Sequence, residues 1–307
     1  MGGLNKMSFK KIAKEAPKEY FLPGNSACAG CGLELSLRWA LKALGQKTIM
    51  VAPASCTNVI VGLYPKGAPA IPFTNMAFAA GCSSASGIRT GLQARGINDV
   101  TVVCWSGDGG AFDIGLQSAS GAAERNDDIL YICYDNEAYM NTGTQRSGGT
   151  PYGAWTTTTP EGKRQHKKDL AGIFASHNIP YVATASVGYP IDLYNKVKKA
   201  KNIKGFKFIH IFAPCPPGWR FETENMIKVA KNAVASGIWV LFEIEHGKKT
   251  LSAPSEKYRD KSKRIPLKEY LQLQGRFSKM TDKEINELQR WIDNYWEHLE
   301  KELACFG

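Results

Sequence analysis

The stretch VTVVCWSGDGGAFDIG, residues 100–115, decides how the chain is read. Its first six residues are apolar and largely β-branched without polar alternation, the pattern of a strand buried on both faces of a parallel sheet. SGDGG follows at 106–110, and then a helix-like run at 111–125. Glycines at a strand-to-helix turn let backbone N–H groups approach a phosphate at the helix N-terminus. Asp108 would repel a bare phosphate. It fits the turn when a divalent cation bridges it to phosphate oxygens, the ligands that hard Mg2+ takes. The next apolar run, ILYICY (129–134), ends in Asp135-Asn136, so Asn136 follows Asp108 by 28 residues. Adjacent parallel strands would deliver Asp108 and Asn136 to one point. The glycine cluster alone reads equally well as a tight turn; the asparagine at the next strand end makes the pattern specific.

Similar runs recur at 48–52 (TIMVA), 181–185, 206–212 (FKFIHIF) and 239–244 (WVLFEI). Helix-like stretches at 33–44, 77–92, 111–125, 169–177, 190–202 and 223–236 separate them. This alternation predicts an α/β fold, a doubly wound, mostly parallel sheet with right-handed crossovers, whose ligands bind at the carboxyl ends of the strands. Residues 139–168 carry Gly, Thr, Pro and aromatics with no period; a loop of that length inside a domain is usually functional. After Glu245 the composition becomes charged, with a turn at 252–254 and a final helix at 281–303. The expected division is a domain over 1–245 and a helical, subunit-contacting arm over 246–307.

Eight cysteines are present. Cys28 and Cys31 form a C-x-x-C pair in ACAGCG (27–32), Cys56 lies in PASCTN and Cys215 in APCPPG, all loop-like contexts at strand ends. Together they suggest a site of four thiolates. Both zinc and a [4Fe–4S] cluster take such a set. The isolated third and fourth cysteines and the Cys215-Pro216 pair favour the cluster, and the small residues around Cys28 and Cys31 leave backbone N–H groups free to bond to cluster sulfurs. Zinc remains the alternative. Cys104 and Cys133 sit inside predicted strands and Cys82 in a small-residue run, where a thiol usually packs as a small apolar side chain.

At 307 residues, with 43% hydrophobic and 22% charged residues, the chain resembles an ordinary soluble globular protein in composition. No apolar run approaches the roughly 20 residues a membrane helix needs, and the basic, polar start lacks the apolar core of a secretory signal. A cytoplasmic protein without a membrane contact is expected. The net charge of +11 is spread along the chain with no basic stripe interleaved with aromatics; it points to an acidic protein partner rather than to nucleic acid.

GDG followed about 30 residues on by an asparagine is the thiamine-diphosphate signature. With CAGCG, Cys56, Cys215-Pro216, GDGGAFDIG, YDNEAYMNTGTQRS and TPYGAWTTTTP, the chain resembles the β subunit of the 2-oxoacid:ferredoxin oxidoreductases over roughly residues 20–245, most closely the pyruvate branch. The resemblance implies the thiamine-diphosphate-binding fold. It implies Mg2+ held by Asp108, Asn136 and the carbonyl of Ala138, with the diphosphate lined by Gly107, Gly109, Gly110 and Ala111 and by Asn141, Thr142 and Thr144. Cys28, Cys31, Cys56 and Cys215 would hold a [4Fe–4S] cluster near the thiazolium, and Asn141 would face the reacting carbon as the catalytic polar group. The glutamate that protonates the aminopyrimidine belongs to a partner subunit in this family, so Glu34 and Glu137 are not given that role.

The implied activity is oxidative decarboxylation of pyruvate on thiamine diphosphate, with single electrons leaving through the cluster toward ferredoxin. CoA would accept the acyl group, and α-, γ- and δ-type subunits would complete the complex. Oxalate (without CoA) or a branched-chain 2-oxoacid would suit the same machinery. A non-redox thiamine-dependent decarboxylase with structural zinc is the reading from a different class; a scaffolding subunit with a vacant GDGG turn is another. The five histidines, Cys82 and Arg146 are assigned no chemistry.

Overall fold

A computed structural model describes residues 8–63 and 65–305; the basic start of the chain at 1–7 lies outside the described residues. Eight strands form one sheet: β1 (Thr48–Pro53), β2 (Phe73–Met76), β3 (Thr101–Gly107), β4 (Leu130–Asp135), β5 (Tyr181–Ser186), β6 (Lys207–Phe212), β7 (Phe242–Glu245) and β8 (Lys248–Leu251), in the order β2-β1-β3-β4-β6-β5-β7-β8. The first six are mutually parallel, as expected from their unalternated apolar runs. β4, β5 and β6 are buried at every position, because helices cover both faces.

Three departures have local causes. β2 was not expected: FTNM is a four-residue edge strand, half-exposed throughout, with no apolar run to announce it. The strand expected at 239–244 begins only at Phe242 and runs antiparallel to β5. Trp239, Val240 and Leu241 instead bond outside the ladder: the Trp239 indole donates to the Ala185 carbonyl, and Leu241 N–H donates to Ser255 Oγ. β7 turns into β8 through His246 and Gly247, both at positive φ, a turn whose twist matches a two-residue hairpin.

The helix expected at 111–125 is split. Residues Gly109–Ile114 form a π-helical turn, closed by Gly115 N–H donating to the Gly110 carbonyl, and the α-helix starts at Leu116. Such turns cluster at functional sites. The final helix, Asp282–Cys305, carries Leu288, Ile292, Trp296 and Leu299 on one face. These residues are buried in the same core as the strands, and the Trp296 indole donates to the Gly237 carbonyl. Over the described residues, the segment expected as an arm thus lies against the chain's own sheet.

Candidate active site

The site is built at the carboxyl ends of β3 and β4. Their register pairs Gly107 with Tyr134, which brings Asp108, Asp135 and Asn136 together just beyond the strands. The inner end of the Asn136 side-chain amide lies 2.9 Å from Asp108 Oδ1 and 3.0 Å from the Ala138 carbonyl oxygen. With its nitrogen inward, the amide donates to both. With its oxygen inward, that oxygen lies from each of the other two at about the edge length of an Mg2+ octahedron, about 2.9 Å for Mg–O bonds of about 2.0–2.1 Å. The three oxygens therefore fit a hard divalent cation.

Asp108 is almost fully buried. Burial pushes its carboxyl well above the ordinary range, the charge of Asp135 adds to this, and a hydrogen bond from Ser147 Oγ opposes it. A buried carboxylate needs a compensating positive charge.

A cavity of about 110 Å³ opens beside these oxygens, lined by Gly107, Gly109, Gly110, Asn141 and Thr142 with Phe78, Tyr134 and Tyr139. A Cβ on Gly109 would stand 2.3 Å from the Tyr139 ring, and one on Gly110 would stand 2.6 Å from Ser106 Oγ. The glycines therefore let the Tyr139 ring and the Ser106 hydroxyl pack directly onto the backbone of the turn, which forms part of the cavity wall. Ala111 lies one step further, buried in the core, and Thr144 lines the neighbouring cavity. Thr144 is at φ +61°, an unusual conformation for a β-branched residue.

That neighbouring cavity, about 290 Å³, is lined by Cys28, Cys31, Cys56 and Cys215. The two cavities share Cys56, Asn136, Met140 and Asn141 as common wall. All four thiols are free. Burial raises the pKa of Cys31; it pushes Cys56 and Cys215 up to about 12, with neighbouring thiols contributing. The glycines of ACAGCG have a packing role. A Cβ on Gly30 would stand 2.6 Å from the Thr223 carbonyl oxygen, and one on Gly32 would stand 2.6 Å from that of Pro214. Gly32 lets the knuckle pack on the backbone just before Cys215, and Gly30 lets it pack on Thr223 further along. The Gly32 N–H, expected to be free, donates to the Pro214 carbonyl. Among the described residues, no three His, Cys, Asp or Glu side chains are grouped tightly enough to hold a single metal ion; the thiols are spread around the cavity wall.

Behind the site lies a charge network that sequence reasoning missed. Asp135 Oδ2 pairs with Lys167 Nζ (2.6 Å) and His210 Nε2 (2.7 Å). Glu137 pairs with Lys167 (2.7 Å) and Arg276 (2.6 Å). Burial raises the cost of charge on Asp135, but Lys167 and His210 outweigh it and its pKa is lowered. Burial likewise opposes the Lys167 charge, and Asp135 and Glu137 overcome it. The only sequence signal was Asp135 and Glu137 flanking Asn136; Lys167 and Arg276 stand in no motif that points to them. Cys82, Cys104 and Cys133 are buried in the core, and Arg146 is exposed on the loop.

Residues 56–211 match the family described as thiamine pyrophosphate enzyme, C-terminal TPP binding domain. The chain is 49% identical over 300 residues to ketoisovalerate oxidoreductase subunit VorB of Pyrococcus horikoshii, covering 94% of this chain and 95% of that one. It is 46% identical over 289 residues to pyruvate synthase subunit PorB of Methanothermobacter marburgensis, covering 92% and 98%. Among solved structures, a chain of the 2-oxoglutarate:ferredoxin oxidoreductase from Magnetococcus marinus, with 2-oxoglutarate, coenzyme A and succinyl-CoA bound, superposes with a TM-score of 0.56. It is 22% identical, and the match covers 75% of this chain and 82% of that chain; this likeness is one of fold. The fold, the GDG–Asn corner and these relatives agree: the chain belongs to the thiamine-pyrophosphate-binding β subunits of the 2-oxoacid:ferredoxin oxidoreductases, an oxidoreductase family.

Proposed function

We propose that this subunit binds thiamine diphosphate through Mg2+ and a [4Fe–4S] cluster side by side, and oxidatively decarboxylates a short aliphatic 2-oxoacid by single-electron steps. The observation that carries the reading is the common wall. One cavity has the oxygens of Asp108 and Ala138 beside the Asn136 amide and glycine backbone in its wall, the next presents four thiols, and Asn136, Cys56, Met140 and Asn141 belong to both.

Asp108, Asn136 and the Ala138 carbonyl hold the cation, with Gly107, Gly109 and Gly110 beneath the diphosphate and Ala111, Asn141, Thr142 and Thr144 supporting it. When bound, thiamine diphosphate supplies an electron sink for decarboxylation. Asn141, on the wall between the cavities, offers its amide to the substrate side and is the catalytic residue of this chain. Four thiols spread around a cavity suit a cluster with one thiolate per iron. A single zinc would draw its sulfurs to about 2.3 Å from one centre.

The relatives include subunits named for ketoisovalerate and for pyruvate. Both acids carry one carboxylate and a small aliphatic group; pyruvate, favoured by the TPYGAWTTTTP motif, is the first substrate to assay and ketoisovalerate the second. CoA as acyl acceptor, α-, γ- and δ-type subunits, an acidic ferredoxin opposite the basic surface, and a cytoplasmic setting that keeps the thiols reduced complete the proposal. Among the described residues no helix is long and apolar enough to cross a membrane.

The test is turnover of the purified complex on pyruvate and ketoisovalerate, with and without CoA and with a dye acceptor. Iron, sulfide, zinc, magnesium and thiamine are measured in the denatured extract. Zinc without iron and sulfide, or an absence of thiamine, would overturn the reading.

A further inference from the structure

Glu137 sits between Asn136 and Ala138 and has φ +66°, left-handed backbone that a non-glycine residue rarely adopts. This kink turns the Asn136 side chain and the Ala138 carbonyl toward the same point, where the inner end of the amide lies within 3.0 Å of both the Ala138 oxygen and Asp108.

The backbone around the kink is held by Trp219 and Thr150 from elsewhere in the chain and by Asp135 two residues before it. The Trp219 indole donates to the Asn136 carbonyl (2.7 Å), Glu137 N–H donates to Asp135 Oδ1 (2.9 Å), and Thr150 Oγ1 donates to the Glu137 carbonyl (2.7 Å). The Glu137 carboxylate is buried between Lys167 and Arg276. Arg276 is itself buried, its guanidinium 3.6 Å above the Trp219 ring and its Nε donating to Gln274 Oε1. Arg276 therefore touches both clamps, the carboxylate of Glu137 and the indole that holds Asn136.

We infer that Glu137 and Arg276 are positioning residues for the metal corner: the C-terminal segment, through Arg276, sets the affinity of the site for Mg2+ and diphosphate. The inference rests on the proposed Mg2+–diphosphate reading. Neither residue touches the cavity oxygens that would bind the cation; each acts through the backbone of 136–138. A strained residue persists only while its surroundings hold it, so loosening the clamp lets the kink relax and separates two of the three oxygens.

The experiment measures Mg2+-dependent thiamine diphosphate binding by calorimetry on the complex stripped of both, for wild type and for Arg276→Met, Arg276→Lys, Glu137→Gln and Asp108→Ala. Iron content and thermal midpoint are recorded beside it. Loss of a partner that orients a metal ligand typically costs about ten- to a hundredfold in metal affinity. Arg276→Met and Glu137→Gln are expected to raise the half-saturating Mg2+ concentration by about that factor with iron unchanged, and Arg276→Lys, which keeps the charge, to recover part of it. An unchanged Mg2+ requirement in these variants, with Asp108→Ala losing binding, overturns the clamp alone. Wild-type binding in Asp108→Ala overturns the metal–diphosphate reading itself. Should Arg276→Met fail to fold, Arg276→Lys and Glu137→Gln decide in the same way.

Discussion

With its oxygen turned inward, the Asn136 side-chain amide points its nitrogen at Cys56 Sγ, 3.9 Å away; with its nitrogen inward it donates to Asp108 and the Ala138 carbonyl instead. The two ends are exclusive: oxygen turned inward toward a cation obliges the N–H group to point at the sulfur. Hydrogen bonds to cluster sulfurs tune reduction potential. Restoring Mg2+ and thiamine diphosphate to the depleted complex is therefore expected to raise the midpoint potential of the cluster, followed by redox titration with electron paramagnetic resonance. Asn136→Asp, which has no N–H to offer, should have a lower midpoint than wild type. Equal midpoints in loaded and depleted wild type would disprove the link.

Asp108 lines the first cavity and Cys56 the wall it shares with the second. Asp108→Ala should abolish retention of thiamine and magnesium while iron and sulfide stay at wild-type levels. Concerted loss of all four would mean one site rather than two.

The opposite dissociation is expected at Gly32. A Cβ there would stand 2.6 Å from the Pro214 carbonyl oxygen, which is backbone and cannot swing away. Gly32→Ala should push the Cys28–Cys31 knuckle off the Cys215 loop, so iron falls while thiamine binding survives. Iron and thiamine analysis of the same preparation checks it; full iron content would show that the contact is dispensable.

The raised pKa of Asp108 gives a stability trend with a definite sign. Its ordinary value is near 3.8, and burial first, then Asp135, lifts it in the folded chain. The folded state binds the proton more tightly than the unfolded one, so the metal-free protein loses stability as pH rises from about that ordinary value through the raised one. Mg2+ should offset the loss, its stabilising effect growing with pH. Thermal midpoints over a pH series, with and without Mg2+, test this. Asp108→Asn, neutral throughout, should lack the trend, and an identical pH profile in that variant would refute the assignment.

Much of the fold and part of the site were legible because their signals are local. β3, β4, β5 and β6 announce themselves as unalternated apolar runs since both faces are covered. Asp108 and Asn136 were found together because successive parallel strands place their carboxyl ends side by side. What escaped depends on tertiary path. β2 and β8 are short edge strands with polar residues, held by their neighbours rather than by their own pattern. The π-helical turn answers to Gly110 and the close approach of Ser106. Lys167 and Arg276 were not singled out, since nothing in their immediate sequence tells that they meet Asp135 and Glu137 inside the molecule. The thiols fared better because glycine, proline and cysteine mark the loops that bring them to one cavity.

The Glu137–Arg276 pair spans 139 positions of the chain. At elongation rates of about 5–20 residues per second, Glu137 is made roughly 7–28 s before its partner. A nascent chain thus has its glycine turn, its asparagine and all four cysteines in hand well before the contact that locks the kink can form. The clamp would then close only near the end of synthesis, and a chain released short of residue 276 would carry every motif of the family without the fastening that holds two of its oxygens together.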